Sequence, residues 1–440
     1  MTAISGLFYG SNKMATDVDV QYFSHLNSLT LGNNWGDLIR MLDKALVTGI
    51  DFTQITAASI DEQGDVHITL YSAHNALLFQ VVELSGFTPN SLNQKYRIKG
   101  VPNSTQLILK PALDISERSI TTIGGGKLAS LGYDIIFRDT NDVKRVYRAK
   151  NPTAQHPFIR VDETISDGAN SYTSTYAKSA MVGLIENMTH IDDYLDPNKL
   201  QLPLDIADFA KNWKVTGAGA SVVRGWSKWY WATMKNGDSA HLETSSPLMG
   251  SRPFTFIGNK DAFYFMPTVG DLNGVIQPRS RRLYGVGIFD SSLEHTIPPW
   301  FLMTSLTLSA ANVGKFLSSD EGGTPLAGSE YVARFLCPAY NPLVRVSDTS
   351  KAIPILPNYQ TGITTIFARS PPGALQIPFY DTSANLRGTL KHVCFRGINT
   401  GINLITPQVA ENSMYISDCY EINWSSNIYQ AVNYYLGELE

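Results

Sequence analysis

The 440-residue chain reads as a mainly β protein with minor α content, a multi-domain β or α+β architecture that includes a small β-barrel-like module near the N-terminus. Three observations predict this. Apolar residues alternate with polar ones at period two in many short segments, strong helical spacing is concentrated in a few stretches, and prolines crowd the last third. Length adds that several cores are present, since single cores seldom grow past about 250–300 residues.

Residues 1–30 are polar and rich in Gly, Ser and Asn, and read as an extended arm. A helix is predicted within 31–50, where Leu38, Leu42 and Leu46 recur at i, i+4 and i+8, Ile39 and Ala45 widen the stripe, and Gly49 is placed to close it. Residues 51–115 carry strands in DVHITLYS, VVELS, YRIKGV and QLILKP, separated by Gly, Pro, Asn and Ser turn chemistry. A closed or half-closed barrel buries such short strands economically, because closure removes edges.

Residues 116–297 read as the main β-rich domain. LGYDIIFRDT, DVKRVYRAK and PFIRVDE are short strands, and SKWYWATM, RPFTFIG and AFYFMP are aromatic, half-buried ones. A helical insertion is expected at about 176–213, from YAKSAMVGLIENM and LDIADFAKNW. In 298–440, ten of the 22 prolines fall between Pro298 and Pro378. Proline fixes φ and removes a donor, so loops, edge strands and extended linkers are predicted there, followed by strands in MYISDCYEINW and YQAVNYYL.

Charged residues make up 17% and aromatics 11%, with 21 tyrosines, a composition that suits broad contacts with other subunits and equally a large β-rich core. The net charge of −4 argues against bulk affinity for nucleic acid or an anionic membrane. Arg279, Arg281 and Arg282 in PRSRR read as a solvated or interface loop, with a specific anion partner as the alternative. Cys337, Cys394 and Cys419 lack metal-binding spacing and read as free thiols of a reducing cytoplasm. Neither a secretory leader nor a membrane-spanning apolar run is apparent in the sequence.

The chemical motifs are sparse. TTIGGGKL has the look of a phosphate loop but carries Thr121 where Gly is needed and Leu128 where Ser or Thr would hold magnesium, so Gly124–Gly126 reads as a flexible turn. His74 reads as a structural turn histidine. Asp192–Asp193 and Asp320–Glu321 are adjacent carboxylates without cleft geometry. Trp226, Trp229 and Trp231 are candidate interface or glycan contacts, with a packed sheet face as the competing reading. No catalytic residue, cofactor or metal site is assigned, and the chain is not expected to be an enzyme.

Six motifs in order add a resemblance. The helix residues Leu38, Ile39, Leu42, Asp43, Leu46, Val47 and Gly49 match GxLIxxLDxxLVxGF, and Ala73 and His74 match an HGF-type turn. Tyr147 and Arg148 match a YRS ending, followed by Arg160, Val161 and Asp162 of an LRVDD strand. Arg252, Pro253, Phe254, Gly258, Phe263, Tyr264 and Phe265 match an RPWxLVGDxRxFYF hairpin, and Tyr284, Gly285, Gly287 and Phe289 a YGFGD-type strand. Asn75, Glu163, Asn259 and Lys260 depart from the pattern. The set resembles a family of virion structural proteins of tailed bacteriophages, and in length and order is most like the non-contractile tail sheath of Schitoviridae-type short-tailed phages.

That resemblance implies a tail component, assembled in the bacterial cytoplasm and located in the virion, forming a homo-oligomeric ring around a tail tube. Its implied partners are copies of itself, the tube, the portal, appendage proteins and a host receptor, with neither direct nucleic-acid binding nor membrane insertion. A baseplate or neck protein of a contractile tail, or a receptor-binding or glycan-degrading tail protein, is the alternative.

Overall fold

The computed structural model describes residues 16–165, 176–216, 223–233, 246–270, 281–293, 297–306, 325–326, 335–356, 374–399, 404–423 and 428–439. It is mostly β, at 47% strand and 6% helix, in several antiparallel sheets. Among the described residues no helix is long and apolar enough to cross a membrane.

The predicted helix forms as Asp37–Leu42 and continues in π-helical turns over Asp43–Thr48. Leu38, Ile39, Leu42, Ala45 and Leu46 are all buried, as their spacing requires. Gly49 ends it at φ 72°, where a Cβ would stand 2.2 Å from the Leu128 carbonyl oxygen, so glycine is needed for both conformation and space.

The small module is a seven-stranded sheet curled into a half-barrel. Its strands run in the order Ile50–Asp51, Gly125–Leu128, Val81–Ser85, Lys95–Asn103, Gln106–Pro111, Val66–Leu70 and Ile55–Ile60. Val66, Ile68, Leu70, Leu84, Ile98, Leu107 and Leu109 are buried in the core cluster that this sheet shares with the helix. The expected boundary at residue 115 is too short, because Gly125–Leu128 is one of these strands. The Gly124–Gly126 turn is therefore corrected: a Cβ on Gly124 would lie 2.0 Å from the Ser85 carbonyl oxygen, and the glycines allow backbones to meet.

A second seven-stranded sheet bridges the module to the rest. Its main path is Ser305–Leu306, Ser227–Ala232, Lys178–Ile185, Phe158–Asp162, Lys144–Ala149 and Tyr133–Arg138, with Gln201–Leu202 paired beside Lys178–Ile185. The expected helical insertion at 176–213 is overturned here. Lys178–Ile185 is a strand buried at every position, so its apolar run reflects cover on both faces and not a helical stripe. In LDIADFAKNW the backbone makes successive i to i−3 turns, with Asp208 N bonded to Asp205 O and Lys211 N to Asp208 O.

The long sheet of 13 strands starts at Gln21–Ser24 and passes through Phe254–Gly258, Ala262–Pro267, Tyr284–Ile288, Trp300–Met303, Phe335–Pro338 and Thr349–Pro354. It continues through Leu375–Asp381, Leu386–Asn399, Ile428–Glu438 and Ser413–Asn423 to Thr406–Ala410, and Asp290–Ser291 pairs alongside Leu386–Asn399. The sheet rolls back on itself. Tyr264 Oη donates to Lys391 O at 2.7 Å, and Thr255 Oγ1 to Asp418 Oδ2 at 2.6 Å, joining its early and late strands.

Period-two alternation splits the early strands between two cores. Phe254, Phe256, Phe263 and Phe265 face the core shared with the helix and the curled sheet, whereas Ile257, Tyr264 and Met266 face the core enclosed by the roll. These strands are thus buried on both faces, not half-buried.

Two more expectations are corrected by this sheet. The later part of the N-terminal arm is a strand: Tyr22 and Phe23 are buried, and Gln21 is tolerated because its side chain bonds Val81 N, Val81 O and Ala129 O. Residues 1–15 lie outside the described residues. The proline-rich region supplies strands inside the sheet, with Pro338 and Pro354 ending theirs and Pro378 at a register shift, places where a missing donor does little harm.

Candidate functional site

Several motif residues fasten elements of the fold to one another, and others brace a single sheet. Asp43 accepts from Tyr147 Oη at 2.8 Å and from Arg145 Nε at 3.2 Å, fastening the helix to the bridging sheet. Arg145 itself is 1% exposed and also pairs with Asp142. Arg148 lies over the Phe158 ring at 4.4 Å. Arg160 donates to Asp162 at 2.9 Å, Asp192 at 2.6 Å and Ile191 O at 2.8 Å, and stacks over Trp213 at 4.4 Å.

The departures from the motif pattern have local explanations. Asn75 sits at φ 50°, a left-handed position that Asn tolerates better than most side chains, and its carbonyl accepts from Asn27 Nδ2 at 2.8 Å. His74 holds the same turn, with Nε2 3.1 Å from Asn103 O and Nδ1 accepting from Ala76 N at 2.9 Å, so its structural reading stands. Asn259 Oδ1 accepts from Asp261 N at 2.9 Å and shapes the hairpin turn, and its carbonyl accepts from Tyr133 Oη at 3.2 Å. Arg252 N donates to Leu31 O at 2.8 Å, tying the hairpin to the segment before the helix.

Glu163 is the most informative departure. Fully buried, it accepts from Gly36 N and Ile39 N, the free donors at the helix start, with the latter bond at 2.9 Å. Burial pushes its carboxyl up to about 7 against those donors and Arg224. A carboxyl raised in the folded state contributes stability that is complete below its ordinary 4.5 and is lost as pH rises towards 7. We therefore expect the stability of Glu163→Gln, relative to wild type, to rise over that window. Thermal denaturation of both proteins at half-unit pH steps checks it, and parallel curves would remove Glu163 as the titrating group.

The tryptophan assignment needs correction. Trp229 and Trp231 are fully buried, with Trp229 stacked on Tyr284 at 5.7 Å and donating to Met303 O at 3.0 Å. Trp231 meets Trp35 edge-on at 6.0 Å. Neither can stack on a glycan, because the strand that carries them is covered on both faces. Trp226 is half-buried, with Lys211 Nζ 4.8 Å from its ring.

The arginine loop is also corrected. Arg281 is 1% exposed and donates to Asp418 Oδ2 at 2.6 Å and Thr255 Oγ1 at 3.0 Å. Arg279 and the Asp320–Glu321 pair lie outside the described residues. Asp192 is engaged by Arg160 and by Lys144 at 3.0 Å, while against burial Lys199 and Thr189 hold the Asp193 carboxyl down at about 2. Such buried pairs were beyond sequence reasoning, since Arg281 and Asp418 stand far apart in the chain.

Among the described residues, no group of three or more His, Cys, Asp and Glu side chains stands together to hold a metal ion. The three cysteines are free, and burial raises the thiols of Cys337 and Cys394 to about 12 and 11, leaving them protonated at neutral pH. No protein-family model matches the chain, and a search of curated proteins finds no match.

Proposed function

We propose that the chain is a structural subunit of a bacteriophage tail, forming a ring or sheath around the tail tube and acting by assembly without catalysis. The observation that carries this reading is that the polar side chains of the ordered motifs are spent on bonds inside the fold. Residues such as Asp43, Tyr147, Arg160 and Arg252 spend their polar groups on the protein itself, which suits a signature of architecture better than one of a reaction centre.

Two further features support it. Among the described residues, Ile55–Ile60 and Thr406–Ala410 each pair on one side only, leaving edges that could accept a strand from a neighbour. Tyr71, Met249 and Leu343 are 77%, 80% and 92% exposed, so large apolar side chains are available for contacts with other molecules. The partners under this reading are copies of the chain, the tail tube, the portal and appendage proteins, in a virion assembled in bacterial cytoplasm.

Cryo-electron microscopy of intact phage particles carrying this chain is the test. A ring of copies around a tube, with one of the two open edges against a neighbour, is the expected result. Absence of the chain from the particle, or its presence only as isolated copies at a fibre tip, would overturn the proposal.

A further inference from the structure

The rolled sheet contains a break that the assembly reading does not use. Between Leu375–Asp381 and Leu386–Asn399, Gln376 pairs with Cys394 but Pro378 pairs with Thr389, so Leu390–Val393 bulge away from that neighbour. Within the bulge His392 takes φ 63°, a conformation seldom adopted by a residue with a side chain. Its Nε2 is enclosed and has no hydrogen-bond partner among the described residues. Backbone irregularity of this kind tends to persist where it shapes a site.

The bulge opens a pocket of about 360 Å³, within the size range of small-ligand sites. Its walls include Asp290, Gln376, Lys391, His392, Tyr415 and Tyr435. Lys391 Nζ stands 2.6 Å from Asp290 Oδ1 and 3.7 Å from Asp261 Oδ2, and Asp261 is also bonded to His156, so these charges are spent on one another and favour a neutral ligand over an ion. Together with Gln376 they set hydrogen-bond donors beside acceptors, the arrangement a hydroxyl needs, because it is both at once.

The aromatic wall narrows the class further. The Tyr415 and Tyr435 rings lie 5.6 Å apart at 56°, too tilted to form a parallel slot for a flat heterocycle, although either face can receive the C–H face of a sugar ring. Tyr435 is held in place by its hydroxyl, which donates to Glu438 Oε1 at 2.6 Å. From this geometry we propose that the pocket binds one neutral monosaccharide unit of a glycan. The proposal does not rest on the tail reading.

Saturation-transfer difference NMR on the full chain tests it, with D-glucose, D-galactose, L-rhamnose and N-acetyl-D-glucosamine as separate millimolar probes. Transfer to ring C–H protons of at least one probe is expected, weakened about three- to tenfold in Tyr415→Ala, as loss of one aromatic contact implies. Gln376→Ala removes only an exposed side chain of the pocket wall, and keeps the test open if the tyrosine variant folds poorly. Trp226→Ala should leave the transfer intact. No transfer from any of the four probes would overturn the proposal, and so would transfer that survives both pocket variants or is abolished by Trp226→Ala alone.

Discussion

Replacing Arg281 with Met should destabilise the protein by roughly 3–5 kcal/mol, the usual cost of removing one partner of a buried ion pair. Asp418 and Arg281 are both fully enclosed, and among the described residues the carboxylate accepts from Arg281 and Thr255 at Oδ2 and from Cys419 N at Oδ1. Removal of the guanidinium leaves a charge with little to offset it. Burial already holds the Asp418 carboxyl above its ordinary range, even with Arg281 against it. The pair is accordingly an expensive way to join the two halves of the roll, and the double variant Arg281→Met with Asp418→Leu should recover most of the loss. Urea denaturation of the three variants measures both numbers. A single variant as stable as wild type would show that the pair is not closed in solution.

Trp229→Ala should cost roughly 3–5 kcal/mol, as expected when a large core aromatic is truncated. The indole stacks on Tyr284, meets Phe263 edge-on at 6.1 Å and donates its N–H to Met303 O, so the change opens a cavity and strands a carbonyl. Trp226→Ala, just before the strand and half-buried, should cost roughly a third of that or less. Equilibrium unfolding distinguishes them. If the two variants were equally stable, the contrast between the buried Trp229 and the half-buried Trp226 would be wrong.

These contrasts also show what the sequence made legible. Strands with one wet face were readable, as in Val66–Leu70, where His67 and Thr69 alternate with buried Val66 and Ile68. So was the helix, because its polar face gave the stripe an edge. Lys178–Ile185 was unreadable for the converse reason: cover on both faces erases alternation, and a run of Ala, Met, Val and Leu then fits either periodicity. Sequence also gives the identity of a tryptophan but not its depth, which depends on strands placed far along the chain.

Buried arginines were the other blind spot. Arg97, Arg145, Arg160, Arg224, Arg252 and Arg281 are among the largest fully buried side chains, against the general rule that such residues face water. Their partners are frequently backbone carbonyls, which every residue carries, so no pattern of residue types announces them.

Arg97 sets a condition on when the protein can finish folding. Its guanidinium donates to the carbonyls of Asp17, Val20, Phe79 and Leu436, and Asp17 N donates in turn to Glu438 O at 3.0 Å. At ribosomal speeds of about 5–20 residues per second, the last of these acceptors leaves the ribosome tens of seconds after the first. Until then the arginine has no complete cage, and the segment at Asp17 waits for the strand that carries Leu436. Chains that stop short of Leu436 would lack this closure and leave a buried guanidinium with part of its cage missing.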